Sequence, residues 1–335
     1  MKTLIKNGLL IDPANQVQAY LNLILEDGKV VAVTEEEPEA DRVIDATGKV
    51  VAPGFIDIHM HEDPVKDGKI EFCIFDAMLR MGVTTAVGGN CGINVYDPVK
   101  YLDMVEKDGA PVNVMLFAGH QYFREAAGAL DKYAPVTKEQ QEHMKKGLEK
   151  ALEAGCVGIS YGLRYVPGTG RDEFLDTASC CEKEHRMISA HVRDDEDRVF
   201  GAVAEVAEAG KLYNIPVQVS HIGSMAGFGQ MKQLLRQVDG YRMNGIDVAC
   251  DCYPYFAFST RIGATTYDDG WLERYHCDYS ACQLTEGKYK GQRCTPETFA
   301  EMRRDFPECL TVCYVMDEND IRMAFADPGV MVGSD

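Results

Sequence analysis

The sequence contains no run of 18 apolar residues, and its opening Met1-Lys2-Thr3-Leu4-Ile5-Lys6-Asn7-Gly8 lacks a long apolar stretch. It therefore offers neither a membrane-spanning helix nor a secretory signal. Positive charge is scarce: 34 Lys and Arg stand against 53 Asp and Glu, a net charge of −19. Nucleic acid and anionic membranes both require a basic face, so neither is expected as a partner. No internal repeat or low-complexity tract stands out. No Cys-x-x-Cys pair occurs, which excludes a zinc ribbon. The 12 cysteines are scattered; Cys250, Cys252 and Cys313 sit in apolar strand-like runs, and Cys180-Cys181 are adjacent. That distribution excludes a disulfide scaffold and points to reduced, mostly buried thiols in a cytoplasmic protein.

What is present is enough apolar sequence for a large core. At 335 residues and 46% hydrophobic content the chain suits one large domain with a smaller one attached. Residues 1–52 read as short strands (Thr3 to Ile5, Leu9 to Ile11, Leu21 to Leu25, Lys29 to Val33, Arg42 to Ile44) separated by the turn pairs Asn7-Gly8, Asp12-Pro13, Asp27-Gly28 and Thr47-Gly48. This is the N-terminal part of a small β-domain, sandwich-like in kind. From residue 53 to 335 strand and helix patterns alternate. Strands are expected at Gly54 to Ile58, Thr84 to Gly88, Asn113 to Ala118, Val157 to Ser160, Met187 to His191, Pro216 to His221, Ile246 to Asp251 and Gly329 to Ser334. Amphipathic stretches such as Lys138 to Ala154, Glu196 to Tyr213 and Gln230 to Arg242 lie between them. The expected fold is α/β, a (β/α)8 TIM-like barrel. The polar, aromatic stretch at about 256–308 breaks the rhythm and reads as a lid-like insertion above the strand ends.

Active sites of such barrels form at the C-terminal ends of the strands. His59 and His61 close the apolar run Val50 to Ile58, and their period-two spacing puts both imidazoles on one side. Gly89-Asn90-Cys91-Gly92, Gly119-His120, Ala190-His191, Ser220-His221 and Ser334-Asp335 follow at later strand ends. Five of the eight histidines thus fall where a metal site belongs, whereas His143, His185 and His276 do not. His59, His61, His191 and His221 are read as metal ligands. Cys91 alone is equally a buried structural thiol; beside four imidazoles, a thiolate ligand is the better reading. His120 is read as a residue behind the site or in loop packing rather than a ligand. Asp335 is the candidate catalytic carboxylate.

These motifs are specific enough to compare with a family. Asp45-Ala46-Thr47-Gly48 followed by Ala52-Pro53-Gly54-Phe55-Ile56-Asp57-Ile58-His59-Met60-His61 resembles the entry motif of the amidohydrolase superfamily. Further stretches are similar to the N-acyl-D-amino-acid deacylases, or D-aminoacylases. They are Gly82-Val83-Thr84-Thr85 leading to Gly89-Asn90-Cys91-Gly92, His120 with Arg124, Tyr161 to Gly168, His191 with Arg193, Ser220-His221 and Asp251-Cys252-Tyr253-Pro254-Tyr255. The resemblance runs from residue 1 to 335. It implies a distorted barrel, a tightly bound zinc on Cys91, His191 and His221, and a second, weaker site on His59 and His61 that shares Cys91. It also implies that Asp335 is the catalytic carboxylate and that cysteine replaces the bridging carboxylated lysine of other amidohydrolases. Two departures stand out. Gly223 occupies the position where the family often has a carboxylate-binding lysine. Family members also continue past the last aspartate, so the chain is expected to be a truncated fragment without its final helix, aggregation-prone and of little activity alone.

The implied chemistry is zinc-dependent hydrolysis of the amide bond of an N-acyl-D-amino acid by metal-bound hydroxide, with a small molecule as the partner and self-association left open. Asp335 would accept the water proton and pass it to the leaving nitrogen. Tyr165, Tyr253 and Arg261 are candidate substrate contacts; the competing readings are aromatic packing for the tyrosines and a solvated loop residue for Arg261. Two rivals remain: a cyclic-amide hydrolase of the dihydropyrimidinase or dihydroorotase kind, which normally needs the bridging lysine, and a non-catalytic fragment.

Overall fold

The structure is a computed structural model that describes residues Met1–Asp335. Two compact units are present, Met1–Phe55 and Ile56–Asp335. In the first, Asp27 and Gly28 both take positive φ (49° and 76°), the geometry of a two-residue hairpin turn, and so join Asn22–Glu26 to Lys29–Thr34. These strands continue into a four-stranded sheet with Lys2–Lys6 and Arg42–Asp45. A second sheet of three strands holds Val17–Tyr20, Leu9–Asp12 and Val50–Val51. Val17–Tyr20 escaped the sequence reading because its alternation is carried by only two apolar positions flanked by polar ones.

The larger unit is built on parallel strands, of which Gly158–Gly162, Met187–His191, Val217–Val219 and Val248–Cys252 are buried almost throughout, as expected of strands covered on both faces, whereas Phe55, Ile56, Met115 and Val332 on the outer strands are exposed. One sheet of three strands contains Phe55–Asp57, Val83–Gly88 and Asn113–Leu116. A sheet of six runs Ala118–Gly119, Gly158–Gly162, Met187–His191, Val217–Val219, Val248–Cys252 and Val330–Val332, every pair parallel. The expected single strand Asn113 to Ala118 is broken at Phe117. The Asn94 side chain causes the break: its amide donates to Phe117 O (3.1 Å) and its carbonyl accepts from Gly119 N (2.7 Å). At the other margin Ser334 N and Asp335 N both donate to His59 O (3.1 and 2.8 Å). No continuous ladder of paired strands closes the ring.

The helices follow from their sequences. Lys138–Glu153 starts on a reciprocal capping box between Thr137 and Gln140 and buries Met144, Leu148, Ala151 and Leu152, one stripe at helical spacing. Val199–Tyr213 ends on Asn214 in the left-handed conformation. The stretch expected as a polar loop is a folded insertion. It contains an antiparallel sheet of Phe258–Arg261, Leu310–Cys313 and Cys282–Leu284, and so extends past residue 308 to Cys313. Its own aromatic cluster packs Trp271 on Phe299 (ring centroids 5.2 Å apart) with Tyr267 and Tyr279 at their edges. Its interleaved Asp, Tyr and Cys give this core no regular apolar period in the sequence. No helix is long and apolar enough to cross a membrane.

His120 lies in a buried charged knot. Its Nε2 is 3.0 Å from Glu173 Oε1, which also receives Arg124 Nε at 3.2 Å, while the Arg124 guanidinium caps the carbonyls of Ala129, Asp131 and Ala134. This ties the helix His120–Ala126 to Arg171–Ala178. Removing one member strands the others' charge away from water. Glu173→Ala is expected to destabilise the chain by about 3–5 kcal/mol, read as a lower denaturant midpoint; a midpoint shift worth under ~1 kcal/mol would show the knot to be energetically slack.

Candidate metal centre

The loop after Val83–Gly88 carries the central residue. Gly89, Cys91 and Gly92 all have positive φ (73°, 55° and 77°), so a cysteine sits in a conformation that glycine prefers, between two glycines that supply the rest of the turn. The turn is held from every side. The buried Glu62 carboxylate accepts from Gly89 N (2.7 Å) and Val95 N (3.1 Å). Ser160 Oγ accepts from Gly92 N (3.0 Å) and donates to Gly89 O. Asn90 donates to Val87 O and accepts from Ser189. Backbone packs directly on backbone: a Cβ at Gly162 would stand 2.2 Å from Cys91 O, and one at Gly92 would stand 2.7 Å from Gly162 N.

This turn places Cys91 Sγ 3.4 Å from both His59 Nε2 and His221 Nε2. Two groups share the sulfur. Cys91, His191 and His221 offer ligand atoms all within 4.8 Å of one another, and so do His59, His61, Cys91 and Asp335. The structure thus brings together His59, His61, Cys91, His191, His221 and Asp335. Asp335 Oδ1 lies 3.4 Å from Nε2 of both His59 and His61, with its side chain 27% exposed. His120 is elsewhere, in the knot described above.

The ring orientations suit metal binding. Ser224 Oγ lies 3.0 Å from both His221 O and His221 Nδ1; with the hydroxyl donating to the carbonyl, Nδ1 donates to Oγ and Nε2 is left free to face the sulfur. His191 Nδ1 is buried with no hydrogen-bond partner. Such an orphaned nitrogen is costly unless something electropositive meets it. Burial alone would push the Cys91 thiol up, but the imidazoles of His59 and His221 outweigh it and hold the group well below its ordinary value. Burial works against charge on His59 and His61 as well, yet the facing anions raise both, His61 to about 10 through Asp335 and Cys91. Burial and His221 lower His191. Asp335, which burial would raise, is held at about 2 by His59, His61 and His221. Anionic sulfur and carboxylate among converging imidazoles are the charge pattern that a divalent cation completes.

A pocket opens above this cluster. Tyr165 and Tyr253 line it with His191, His221 and Asp335. The Tyr165 ring is 4.5 Å from that of His191, and burial lifts both phenols well above their usual range, so they are donors. No Lys or Arg lines the pocket, whereas Asp195 does. Its carboxylate accepts from Tyr275 OH (2.5 Å) and contacts Arg274 Nε at 3.3 Å, and that guanidinium also donates to Thr266 O (2.6 Å). Arg261 is not at the site. It is 59% exposed and paired with Glu308 at 3.0 Å, because its strand turns it outward to solvent.

The amidohydrolase family profile matches residues 42–163. The chain is 29% identical to the N-acyl-D-glutamate deacylase of Alcaligenes xylosoxydans xylosoxydans, over 99% of this chain and 73% of that protein. The crystal structure of N-acyl-D-glutamate deacylase from Bordetella bronchiseptica, complexed with zinc and a phosphonate mimic of the tetrahedral intermediate, superposes with a TM-score of 0.86 at 28% identity. The match covers 99% of this chain and 75% of that one.

The chain is similar to amidohydrolases in sequence and in fold.

A dihydroorotase of Elusimicrobium minutum is 42% identical, but over 65% of this chain and 48% of its own. Three residues to which the sequence alone assigns no role shape the site: Glu62, Ser224 and Asp251. Glu62 and Asp251 sit one residue past His61 and at the end of a strand, so the strand-end rule that found the histidines covers them too. Ser224 lies one helical turn beyond His221 and carries no such signal.

Gly162→Ala leaves every candidate ligand in place but drives a methyl into Cys91 O. We expect it to cost about 1–3 kcal/mol of stability and to lower zinc retention after dialysis. Zinc content and a melting temperature both equal to wild type would show the turn to be far more yielding than its packing indicates.

Proposed function

We propose that this chain is a zinc-dependent amidohydrolase that cleaves the acyl–nitrogen bond of N-acyl-D-amino acids, on an eight-stranded (β/α)8-type barrel. The observation that carries the reading is the shared sulfur: Cys91 stands between two groups of imidazoles, where a bridging ligand of a dinuclear centre would be. Cys91, His191 and His221 would hold the tight zinc; His59 and His61, with Cys91, would hold a weaker one. Length also supports it, since the match to the deacylase spans 99% of this chain, whereas the dihydroorotase matches span 64% to 80%. A cytoplasmic setting fits the free cysteines.

When bound, zinc supplies Lewis acidity toward the amide carbonyl and lowers the pKa of a coordinated water to about 7. The chain's own residues do the rest. Asp335 accepts the proton of the attacking water and delivers it to the departing nitrogen, which would otherwise leave as a strongly basic amide anion. It remains ionised for the first step because the surrounding imidazoles hold it down. The phenols of Tyr165 and Tyr253 donate hydrogen bonds to substrate oxygens. The insertion excludes water through Phe258 and Tyr275, which line the pocket wall.

The pocket further favours an uncharged amino-acid side chain. An acidic one would meet Asp195 with no unpaired cation beside it, and an unpaired buried carboxylate is costly. This would set the chain apart from the N-acyl-D-glutamate deacylase it resembles.

Two outcomes follow. Elemental analysis should find about one tightly held zinc per chain, and Cys91→Ala should lose it with little change in folding; unchanged zinc in that variant would make Cys91 a structural thiol. Paired assays should show N-acetyl-D-amino acids cleaved in preference to L-isomers. Among the D-series, kcat/KM for neutral side chains should exceed that for N-acetyl-D-glutamate by roughly tenfold or more. Cleavage confined to L-substrates or to hydantoins would overturn the assignment.

A further inference from the structure

Asp251 is the penultimate residue of the strand Val248–Cys252 and is 1% exposed, yet no step above uses it. A carboxylate so deep is retained only where its oxygens are matched by donors. Its Oδ2 accepts from Gln218 Nε2. Its Oδ1 accepts from the backbone N–H of His221 at 2.8 Å and lies 3.0 Å from His59 Nδ1. One oxygen therefore touches a residue of each metal group.

Each contact has a consequence. His221 has φ 34°, a left-handed conformation unfavourable for a β-substituted residue, and the bond to its N–H holds it there. His59 is fully buried, and its Nδ1 makes no aligned hydrogen bond; the carboxylate beside it stands off the ring N–H axis. With Nδ1 protonated, a small ring rotation would let Nδ1–H donate to Asp251 Oδ1 and leave Nε2, 3.4 Å from Cys91 Sγ, unprotonated. Gly333 makes room for this arrangement, because a Cβ there would stand 2.7 Å from His59 Cβ and 3.4 Å from Asp251 Oδ1. Acidic groups that hold the outer nitrogen of a ligating histidine fix its tautomer and raise its basicity.

We propose that Asp251 is a positioning residue shared by the two halves of the metal centre: it fixes the His59 tautomer for the weaker site and the backbone of His221 for the tight one. The inference rests on the zinc reading above.

The test is zinc affinity, measured by competition with a chromophoric chelator, for the wild-type chain and Asp251→Asn. The asparagine retains the shape and an acceptor for His221 N–H but removes the charge that orders His59. The weaker zinc should bind about 10–100-fold less tightly in the variant, while the tight zinc changes by only a few-fold. Equal affinity for both zincs in a folded variant would overturn the proposal and leave the zinc reading standing. A wild-type chain that takes up no zinc would overturn the zinc reading itself. If Asp251→Asn does not fold, the ring nitrogens of wild-type His59 decide the question by histidine-selective 15N NMR. Protonated Nδ1 with unprotonated Nε2 supports the proposal, and the opposite tautomer ends it.

Discussion

Everything at this site depends on one sulfur being held where five other ligand-type side chains converge. Cys91 reaches that point only because its backbone is left-handed, and that conformation is imposed from outside. Glu62, Ser160 and Asn90 occupy the polar groups of the turn, and glycines at 89, 92, 119 and 162 let neighbouring chains approach with nothing between them. A thiolate supplied in this way carries its charge on a short, stiff side chain. A bridging lysine would bring a long, flexible one and would need a carbamate to become anionic. The cysteine version therefore transfers the burden of precision from the side chain to the backbone, and the surrounding glycines are its counterpart.

The electrostatic pattern has a similar economy. The net charge of the chain is strongly negative, but the pocket floor is a local concentration of imidazoles with two anions among them. Burial opposes charge on every member, and mutual attraction prevails for all of them except His191, where burial and the neighbouring His221 act in the same direction. Higher in the pocket the sign changes: Asp195 is present and its arginine is already committed. The floor thus attracts a polarised carbonyl and its attacking oxygen, while the wall offers nothing to a distant carboxylate. Gly223 also offers the pocket no cation. A Cβ there would stand 2.8 Å from Ile321 Cδ1, so the position is packed against the helix Glu318–Ala326.

Much of the site is legible in the sequence. His-x-His at a strand end is a period-two argument, and the recurrence of His and Cys at successive apolar run ends needs only the rule that barrel chemistry gathers at one rim. Those arguments located the six residues that converge. Three features lay beyond them. Arg261 was placed by composition near the lid, but strand alternation decides which way it faces, and the pairing of that strand with Leu310–Cys313 is a long-range fact. The folded core of the insertion was invisible because its apolar positions are separated by turns and 3-10 segments rather than by a regular period. The break at Phe117 arises from a side chain 23 residues earlier in sequence, and no local propensity reports such a contact.

That last feature has a meaning for how such a protein changes over generations. Where a loop's amide takes the place of main-chain pairing in the sheet, as Asn94 does between Phe117 and Gly119, loop and sheet stop being separate modules. The segment from 89 to 95, the carboxylate at 62 and the small residues at 119, 160 and 162 form a single inheritable block. Recombining parents of different ancestry with a crossover inside that block would mismatch its parts, while crossovers in the outer helices would leave it whole. Diversity in this lineage should therefore accumulate in the insertion and the helices, around a metal cradle that is passed on intact or not at all.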